Sequence, residues 1–426
     1  MKTGKNDRTR SSALPIAGCL IVMLCVGIIY LWSVFRSPIA LAFDMSGAAA
    51  KMVSSYMILA FVFGCLFGGF LNDSKGPKFT SIIGIVLFSG GVAVTGLLGP
   101  ASAGLINITY AVMGGLGSGF AYSACLSCVQ KWMPTRRGAA SGLAAAAFGL
   151  STTVFAPVSR VLMNVFTDSA TGIVNFRPVF FILAGIFFVL GLAACFLIRL
   201  PAPDSPQARA AAVPAQSSPN SDMSVGQMLK SSPFWCLFLT MLFGAATWNL
   251  ALPLLSDLAV DRGLTLGIAT LTVSLSGIMN TVGRLVLTTL SDKTGRTSAM
   301  VVTSVITVVT ALMLMIAGGT SYIIVVMLCA FAYGGYGPLL SAFTVDLFGA
   351  KNSGRNFGFV ILGLGASSML FNFVSNHFLH GAVFASFAMG AVTAVIPIML
   401  MVLLRHSTAD STTMHPDVHG GASASA

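Results

Sequence analysis

Of the 426 residues, 56% are hydrophobic and only 8% are charged, against about 25% charged in soluble domains. That composition excludes a soluble globular enzyme and predicts an all-α integral membrane protein. A net charge of +11 would point to nucleic acid in a soluble chain, but here the basic residues sit between apolar runs, so the expected partner is the lipid bilayer and not nucleic acid.

In chain order, the sequence opens on the basic stretch MKTGKNDRTR and turns apolar. The apolar run is longer than a signal-peptide core and more spans follow at once, so it predicts an uncleaved first helix, which carries Tyr30. A bilayer crossing takes about 20 apolar residues. Twelve segments qualify: 14–36, 51–71, 79–99, 103–128, 138–164, 178–199, 233–256, 266–290, 298–318, 321–345, 356–378 and 381–404. Span 2 is followed by Asp73-Ser74-Lys75-Gly76-Pro77-Lys78. Span 4 carries Tyr122, with Ser118 and Cys125 on the same helix face. Arg137 opens span 5, which carries Phe148. A Pro-, Ala- and Ser-rich stretch then reads as a linker. Span 7 carries Trp248, and span 8 carries Arg284 and ends at Asp292-Lys293-Thr294-Gly295-Arg296. Span 10 carries Tyr333 and Tyr336; Arg355 stands just before span 11, where Ser368, Asn372 and Asn376 form a polar row. The expected organisation is a six-helix bundle (1–199), a cytoplasmic linker (200–232), a second six-helix bundle (233–405) and a cytoplasmic tail (406–426).

With both termini placed inside, 17 of the 23 Lys and Arg residues fall in inner segments and five in outer ones. That bias sets the orientation, with termini cytoplasmic. All eight cysteines lie in apolar spans and read as small packing residues. Cys125 and Cys128 form a lone CxxC without a second pair or a histidine cluster, so neither a metal nor another cofactor is expected. The twelve acids are all aspartates, which leaves no buried glutamate to carry a proton. Gly64/Gly68, Gly115/Gly119 and Gly138/Gly142 are GxxxG pairs that read as close helix contacts.

The two bundles repeat. Asp73 and Asp292 are 219 positions apart, and Arg137 and Arg355 are 218 apart. Two landmarks at one offset, both in inner loops, indicate a parallel repeat with a substrate site between the halves. On the Asp-x-x-Gly-x-Lys/Arg loops the chain resembles the major facilitator superfamily. That resemblance implies twelve helices in two pseudo-symmetric bundles of six. It also implies an inner latch formed by Asp73, Lys75, Gly76, Lys78, Asp292, Lys293, Gly295 and Arg296, with Arg137 and Arg355 beside it.

Arg284 lies near the middle of an apolar helix, where a charge costs about 2.5–3.5 kcal/mol on insertion scales. No acid shares its span. Ser276, Asn280, Arg284 and Thr288 fall at four-residue spacing on one face, which must therefore meet protein or water. The repeat offset carries Arg284 to Cys65 or Leu66, so the arginine stands outside the duplicated frame. Its planar fork suits a carboxylate, and it stays charged at physiological pH. Tyr30, Tyr122, Trp248, Tyr333 and Tyr336 are amphipathic aromatics suited to the walls of such a site.

A closer resemblance, to the oxalate/formate antiporter family and its monocarboxylate relatives, rests on Lys131-Trp132-Met133-Pro134-Thr135-Arg136-Arg137-Gly138, on Gly149, on Tyr30-Leu31-Trp32-Ser33, on Asp346-Leu347-Phe348-Gly349 and on Arg355-Asn356-Phe357-Gly358. It implies that Arg284 binds a carboxylate. The family's second cation, a lysine in span 11, falls on Leu364 here, and Phe148 stands where the oxalate carrier has a tyrosine. One cation suits one carboxylate, because a dianion would leave a charge unpaired in a low-dielectric site. The Asn280/Arg284 pair is also similar to the span 8 pair of monocarboxylate:proton symporters.

The expected protein is a monomeric secondary transporter, not an enzyme. It carries a small monocarboxylate of the lactate, pyruvate or formate type across a bacterial inner membrane, by proton coupling. The alternatives are an oxalate-type dicarboxylate:formate antiporter and a facilitator-type carrier of another solute.

Overall fold

The computed structural model describes residues 12–27, 31–203, 205–207, 209, 222–379 and 382–413. The first bundle contains α1 (Ala13–Val26), α2 (Trp32–Ala42), α3 (Gly47–Lys75), α4 (Pro77–Thr95), α5 (Gly114–Trp132), α6 (Arg137–Val165) and α7 (Phe176–Leu197). A short α8 (Val225–Leu229) ends the linker. The second bundle contains α9 (Ser232–Gly244), α10 (Ala246–Ala251), α11 (Leu255–Asp261), α12 (Leu266–Thr294), α13 (Arg296–Ile316), α14 (Thr320–Phe348), α15 (Ser353–His377) and α16 (Val383–Thr413). Among the described residues, eleven helices are long and apolar enough to cross a membrane, and α1 is a shorter apolar helix.

The chain folds with apolar side chains outward as well as inward. Val189, Val392 and Met399 are exposed, which water would penalise and lipid does not. Inside, threonines and serines are buried with their hydroxyls returned to the helix: Thr303 Oγ1 donates to the Ala299 carbonyl (2.8 Å) and Ser304 Oγ to the Met300 carbonyl (2.9 Å). In hydrocarbon every polar group needs such a partner.

Spans 1 and 7 are not continuous. The first breaks at Gly27 between α1 and α2; the seventh breaks at Ala245 and runs on through α10, a 3₁₀ turn and α11. Gly27 and Ala245 are 218 positions apart, so the break belongs to the repeat. At the first break Ser118 Oγ of α5 donates to the Val26 carbonyl (2.7 Å); beyond the second, Asn249 Nδ2 of α10 donates to Ser367 Oγ of α15 (3.1 Å). Gly27 is required by contact: a Cβ there would sit 2.1 Å from the Phe148 carbonyl oxygen of α6.

The GxxxG pairs divide by role. Gly64 and Gly68 of α3 lie against Leu116 and Phe120 of α5, and Gly115 and Gly119 of α5 return the contact, which knits the first bundle. Gly138 and Gly142 instead meet Thr288 and Arg284 of the other bundle.

The two bundles join chiefly through α6 against α12 and α3 against α15. Backbone approaches mark the seam. Gly138, Gly142 and Gly149 of α6 face Thr288, the Arg284 backbone and Thr281, while Gly69 faces Gly354, Gly358 faces Leu66 and Gly365 faces Val62. The seam is therefore densest toward the end that carries the loops at Gly76 and Gly295, called the latch end below.

These contacts predict opposite outcomes for two glycines. Gly119→Ala places a Cβ 2.3 Å from the Phe61 carbonyl oxygen, an overpacking that costs about 1–3 kcal/mol and lowers thermal stability in detergent. Gly277→Ala meets nothing within 4 Å and raises or preserves stability, since alanine is favoured over glycine within a helix by about 0.5–1 kcal/mol. Thermal unfolding of the two purified variants checks the ordering.

Candidate functional site

Arg284 lies on α12 where that helix meets α6, and it is 7% exposed. Its Nε donates to Asn280 Oδ1 (2.8 Å), one turn earlier on the same helix, and its Nη1 donates across the seam to the Ala145 carbonyl of α6 (3.0 Å). Asn280 is itself anchored, with Nδ2 donating to the Ala330 carbonyl of α14 (3.3 Å). Among the described residues no carboxylate pairs with Arg284 and no hydrogen bond uses its Nη2. A guanidinium carries five N–H donors, so the group is oriented by its neighbours and keeps donor capacity for an anion. Gly149 lets α6 approach α12 one turn away from it: a Cβ there would lie 2.7 Å from Thr281 Oγ1.

Aromatic groups extend from both sides of this contact. In the first bundle Tyr122 and Phe148 meet edge to face with centroids 5.0 Å apart, and Phe61 lies 5.3 Å from Tyr122 and 5.6 Å from Phe148. Phe148 follows Ala145 by less than one turn. In the second bundle Tyr333 follows Ala330, the partner of Asn280, and stacks on Trp248 with centroids 5.5 Å apart. The Tyr122–Phe148 pair therefore begins three residues beyond the Arg284 contact in α6, and the Tyr333–Trp248 pair begins three residues beyond the Asn280 contact in α14.

Tyr336 departs from the expected wall. It is fully buried within the second bundle. Its hydroxyl meets Thr307 Oγ1 (3.2 Å) and donates to Ser304 Oγ (3.2 Å), and its ring fills the space left by Gly244. Three residues separate it from Tyr333, which stacks on Trp248 instead. Leu364 is partly buried against the apolar core, next to Gly365 at the α3–α15 contact. Tyr30 lies outside the described residues.

At the latch end, two acids cap helices of the opposite bundle. Asp292 accepts from the backbone N–H groups of Gly138 and Ala139 (2.8 Å each), in the first turn of α6, and from Arg296 Nη1 (2.6 Å). Asp73 accepts from the Arg355 backbone N–H (2.9 Å), in the first turn of α15, and lies 3.7 Å from Arg355 Nε. Carboxylates at helix N-termini satisfy otherwise orphaned donors and complement the helix dipole. Asp346, at the end of α14, bridges Arg137 Nη1 (2.9 Å) and Arg296 Nε (2.8 Å). Beside them Gln130 Nε2 donates to Ser141 Oγ (2.7 Å) and, across the seam, to Ser341 Oγ (2.9 Å). The Ser127 and Ser353 hydroxyls are 3.1 Å apart.

The latch is therefore assembled differently from the sequence expectation. Lys75, Lys78 and Lys293 are exposed, and Lys78 lies over the Phe196 ring, 4.8 Å from its centroid. Asp73 and Asp292 bond to helix ends of the other bundle, and Asp292 also to Arg296 of its own loop, rather than to the lysines of those loops. Gly76 and Gly295 serve the backbone, at φ 85° and 88°, where a side chain would be strained. Asp346, Gln130, Ser127, Ser353 and Thr281 were not singled out by sequence as site residues. Only Asp346 carried a signal, as a rare acid inside a motif, and its partners lie on two other helices.

Residues 17–371 match the Major Facilitator Superfamily. The chain is 27% identical over 350 residues to the oxalate:formate antiporter of Oxalobacter formigenes, covering 81% of this chain and 79% of that protein. It is 24% identical to apicoplast pyruvate carrier 1 of Toxoplasma gondii, covering 88% of this chain and 85% of that one. Its fold matches the crystal structure of the major facilitator transporter FucP in the outward conformation, with TM-score 0.70 at 16% identity over 91% of this chain and 98% of that chain. With the eleven spans, the repeat and the cross-bundle seam, these matches show that the chain belongs to the major facilitator superfamily and is a multi-pass membrane transporter, not an enzyme.

Proposed function

We propose that this transporter carries a small monocarboxylate, held at Arg284 between the bundles. The observation that carries the reading is a buried guanidinium, fixed by Asn280 and the Ala145 carbonyl, without a carboxylate partner among the described residues. Leaving such a charge unpaired is costly, and an anionic solute relieves that cost. Leu364 and Phe148 favour one carboxylate with a small apolar remainder, because neither offers a second charge or a hydroxyl. The similarity to an oxalate:formate antiporter and to a pyruvate carrier agrees with a small organic acid. The first of these similarities also keeps the dicarboxylate exchanger as a second reading.

In this reading the latch end faces the cytoplasm, the termini lie on that side, and the structure is the state with that side closed. Asn280 has no titratable proton, so in a proton-coupled cycle the proton travels on the substrate carboxylate and shifts as that group pairs with Arg284. Opening requires the two acids to leave the helix N-termini of α6 and α15.

Uptake of labelled L-lactate into proteoliposomes under an inward proton gradient tests the proposal, with pyruvate, formate and oxalate as competitors. Pyruvate competes and oxalate does not. Competition by oxalate, with lactate uptake driven by internal formate, establishes the exchanger instead. Arg284→Ala removes one partner of a buried charge pair, a change worth about 2–5 kcal/mol, so apparent affinity falls at least tenfold. Uptake unchanged in Arg284→Ala sinks the role given to this residue.

The latch makes a separate prediction. Asp292 takes three short bonds whereas Asp73 takes one short backbone bond, so Asp292→Ala opens the latch end more than Asp73→Ala. Maleimide labelling of a cysteine introduced as Ser141→Cys, a buried position at the seam, reads the difference. Equal labelling in both backgrounds contradicts the ordering.

A further inference from the structure

The linker between the bundles is bonded at both of its ends to the loops that carry the latch. Immediately before its start, the Arg199 carbonyl accepts from Trp132 Nε1 (2.7 Å) and from Cys128 Sγ (3.6 Å), on the last turns of α5. Five residues after Trp132 stands Arg137, the partner of Asp346. At its end, the Met223 backbone N–H donates to the Phe348 carbonyl (3.0 Å), and the Met223 carbonyl accepts from Asn352 Nδ2 (3.1 Å) and Asn356 Nδ2 (3.2 Å). Asp222 Oδ1 accepts from the Lys351 backbone N–H (3.0 Å). These four bonds close over the short connection between Asp346 and Arg355, two of the latch residues of the second bundle.

Two sequence motifs left without a role by the carboxylate site find one here. In Asp346-Leu347-Phe348-Gly349, the Phe348 carbonyl receives the linker. Gly349 makes room for it, since a Cβ there would lie 2.5 Å from Asp222 Oδ1 and 2.8 Å from the Asp222 Cα. In Arg355-Asn356-Phe357-Gly358, the asparagine amide holds Met223. Trp132 and Lys351 are 219 positions apart, so the segments at the two ends of the linker meet corresponding positions of the two halves. The anchorage continues into the second bundle: Ser224 and Gln227 form a capping box, and Met228 is fully buried in the core.

We propose that Asp222 and Met223, with Asn352 and Asn356, are gate-positioning residues. They hold the Asp346–Arg355 loop in the conformation that places Asp346 between Arg137 and Arg296 and the Arg355 N–H on Asp73. A short loop held by four hydrogen bonds loses little further freedom when the latch closes, so the clamp favours the closed latch. Loosening it moves the equilibrium toward the open latch without touching Arg284. The proposal rests on the alternating-access reading above, but its primary test needs no substrate.

The test is maleimide labelling of Ser141→Cys in the full-length protein, with Asn356→Asp, Asp222→Ala and Asp222→Asn each added. Asn356→Asp keeps the size of the side chain but loses the donor to Met223. Asp222→Asn keeps the oxygen that accepts from Lys351 and serves as the conservative rescue. Labelling rises about threefold or more in Asn356→Asp and Asp222→Ala and stays at the parent level in Asp222→Asn. Where transport is measurable, apparent KM from the far side rises with Vmax retained, because the binding-competent state is less populated. Unchanged labelling in both Asn356→Asp and Asp222→Ala, with thermal stability at the parent level, overturns the proposal. So does equal labelling of Asp222→Ala and Asp222→Asn. A failure of lactate uptake with the labelling pattern intact counts against the substrate and not against the clamp.

Discussion

Hydrocarbon does not solvate a guanidinium, and most of this architecture follows from where that leaves Arg284. The residue sits on an apolar helix long enough to cross the bilayer, so its face must turn toward protein. It reaches that environment at the seam with α6, where Gly149 and Gly142 bring the two backbones close. Larger residues there would push the helices apart and open the arginine to lipid or water. The small-residue stripe and the buried charge thus belong to one contact.

The seam is held by carboxylates that borrow the helix ends of the opposite bundle. A cross-bundle cap has a property that a surface ion pair lacks. While the bundles touch, it satisfies backbone N–H groups that have no partner within their own helix. When the bundles part at this end, water reaches both groups and replaces the bond. In the proposed cycle this exchange of a cross-bundle bond for water keeps the difference between a closed and an open latch small. The repeat is not exact. Asp292 caps two backbone N–H groups and pairs with Arg296, while Asp73 caps one and lies farther from Arg355. The α6–α12 contact, which also contains Arg284, is the tighter of the two.

Composition and hydropathy revealed the membrane-spanning helices, because lipid imposes a strong and simple pattern. The repeat offset revealed the latch acids. Arg284 was legible as an isolated charge, and Asn280 as its neighbour one turn away. Other features lay beyond the sequence because they are tertiary. Tyr333 and Tyr336 are three residues apart with similar surroundings in sequence, and only the packing of α9 and α13 takes Tyr336 into the interior of the second bundle while Tyr333 stacks on Trp248. Lys75 and Lys293 sit in the right motif, yet the carboxylates they accompany face away toward the other bundle. The breaks at Gly27 and Ala245 fall within apolar runs that hydropathy reads as continuous.

The geometry also links the binding group to the seam. The Nη1 of Arg284 is bonded to the Ala145 carbonyl of the opposite bundle, so the cation contributes to holding α6 against α12. In the proposed cycle an incoming carboxylate takes donors from the same guanidinium, and a charged acceptor outcompetes a neutral carbonyl by roughly a factor of two in strength. Substrate that draws Nη1 from Ala145 removes one cross-bundle bond and at the same time neutralises the charge that had to stay enclosed. Both changes act in the same direction, toward parting the bundles at the latch end. An empty site keeps the arginine on Ala145 and the seam intact, which opposes opening without cargo.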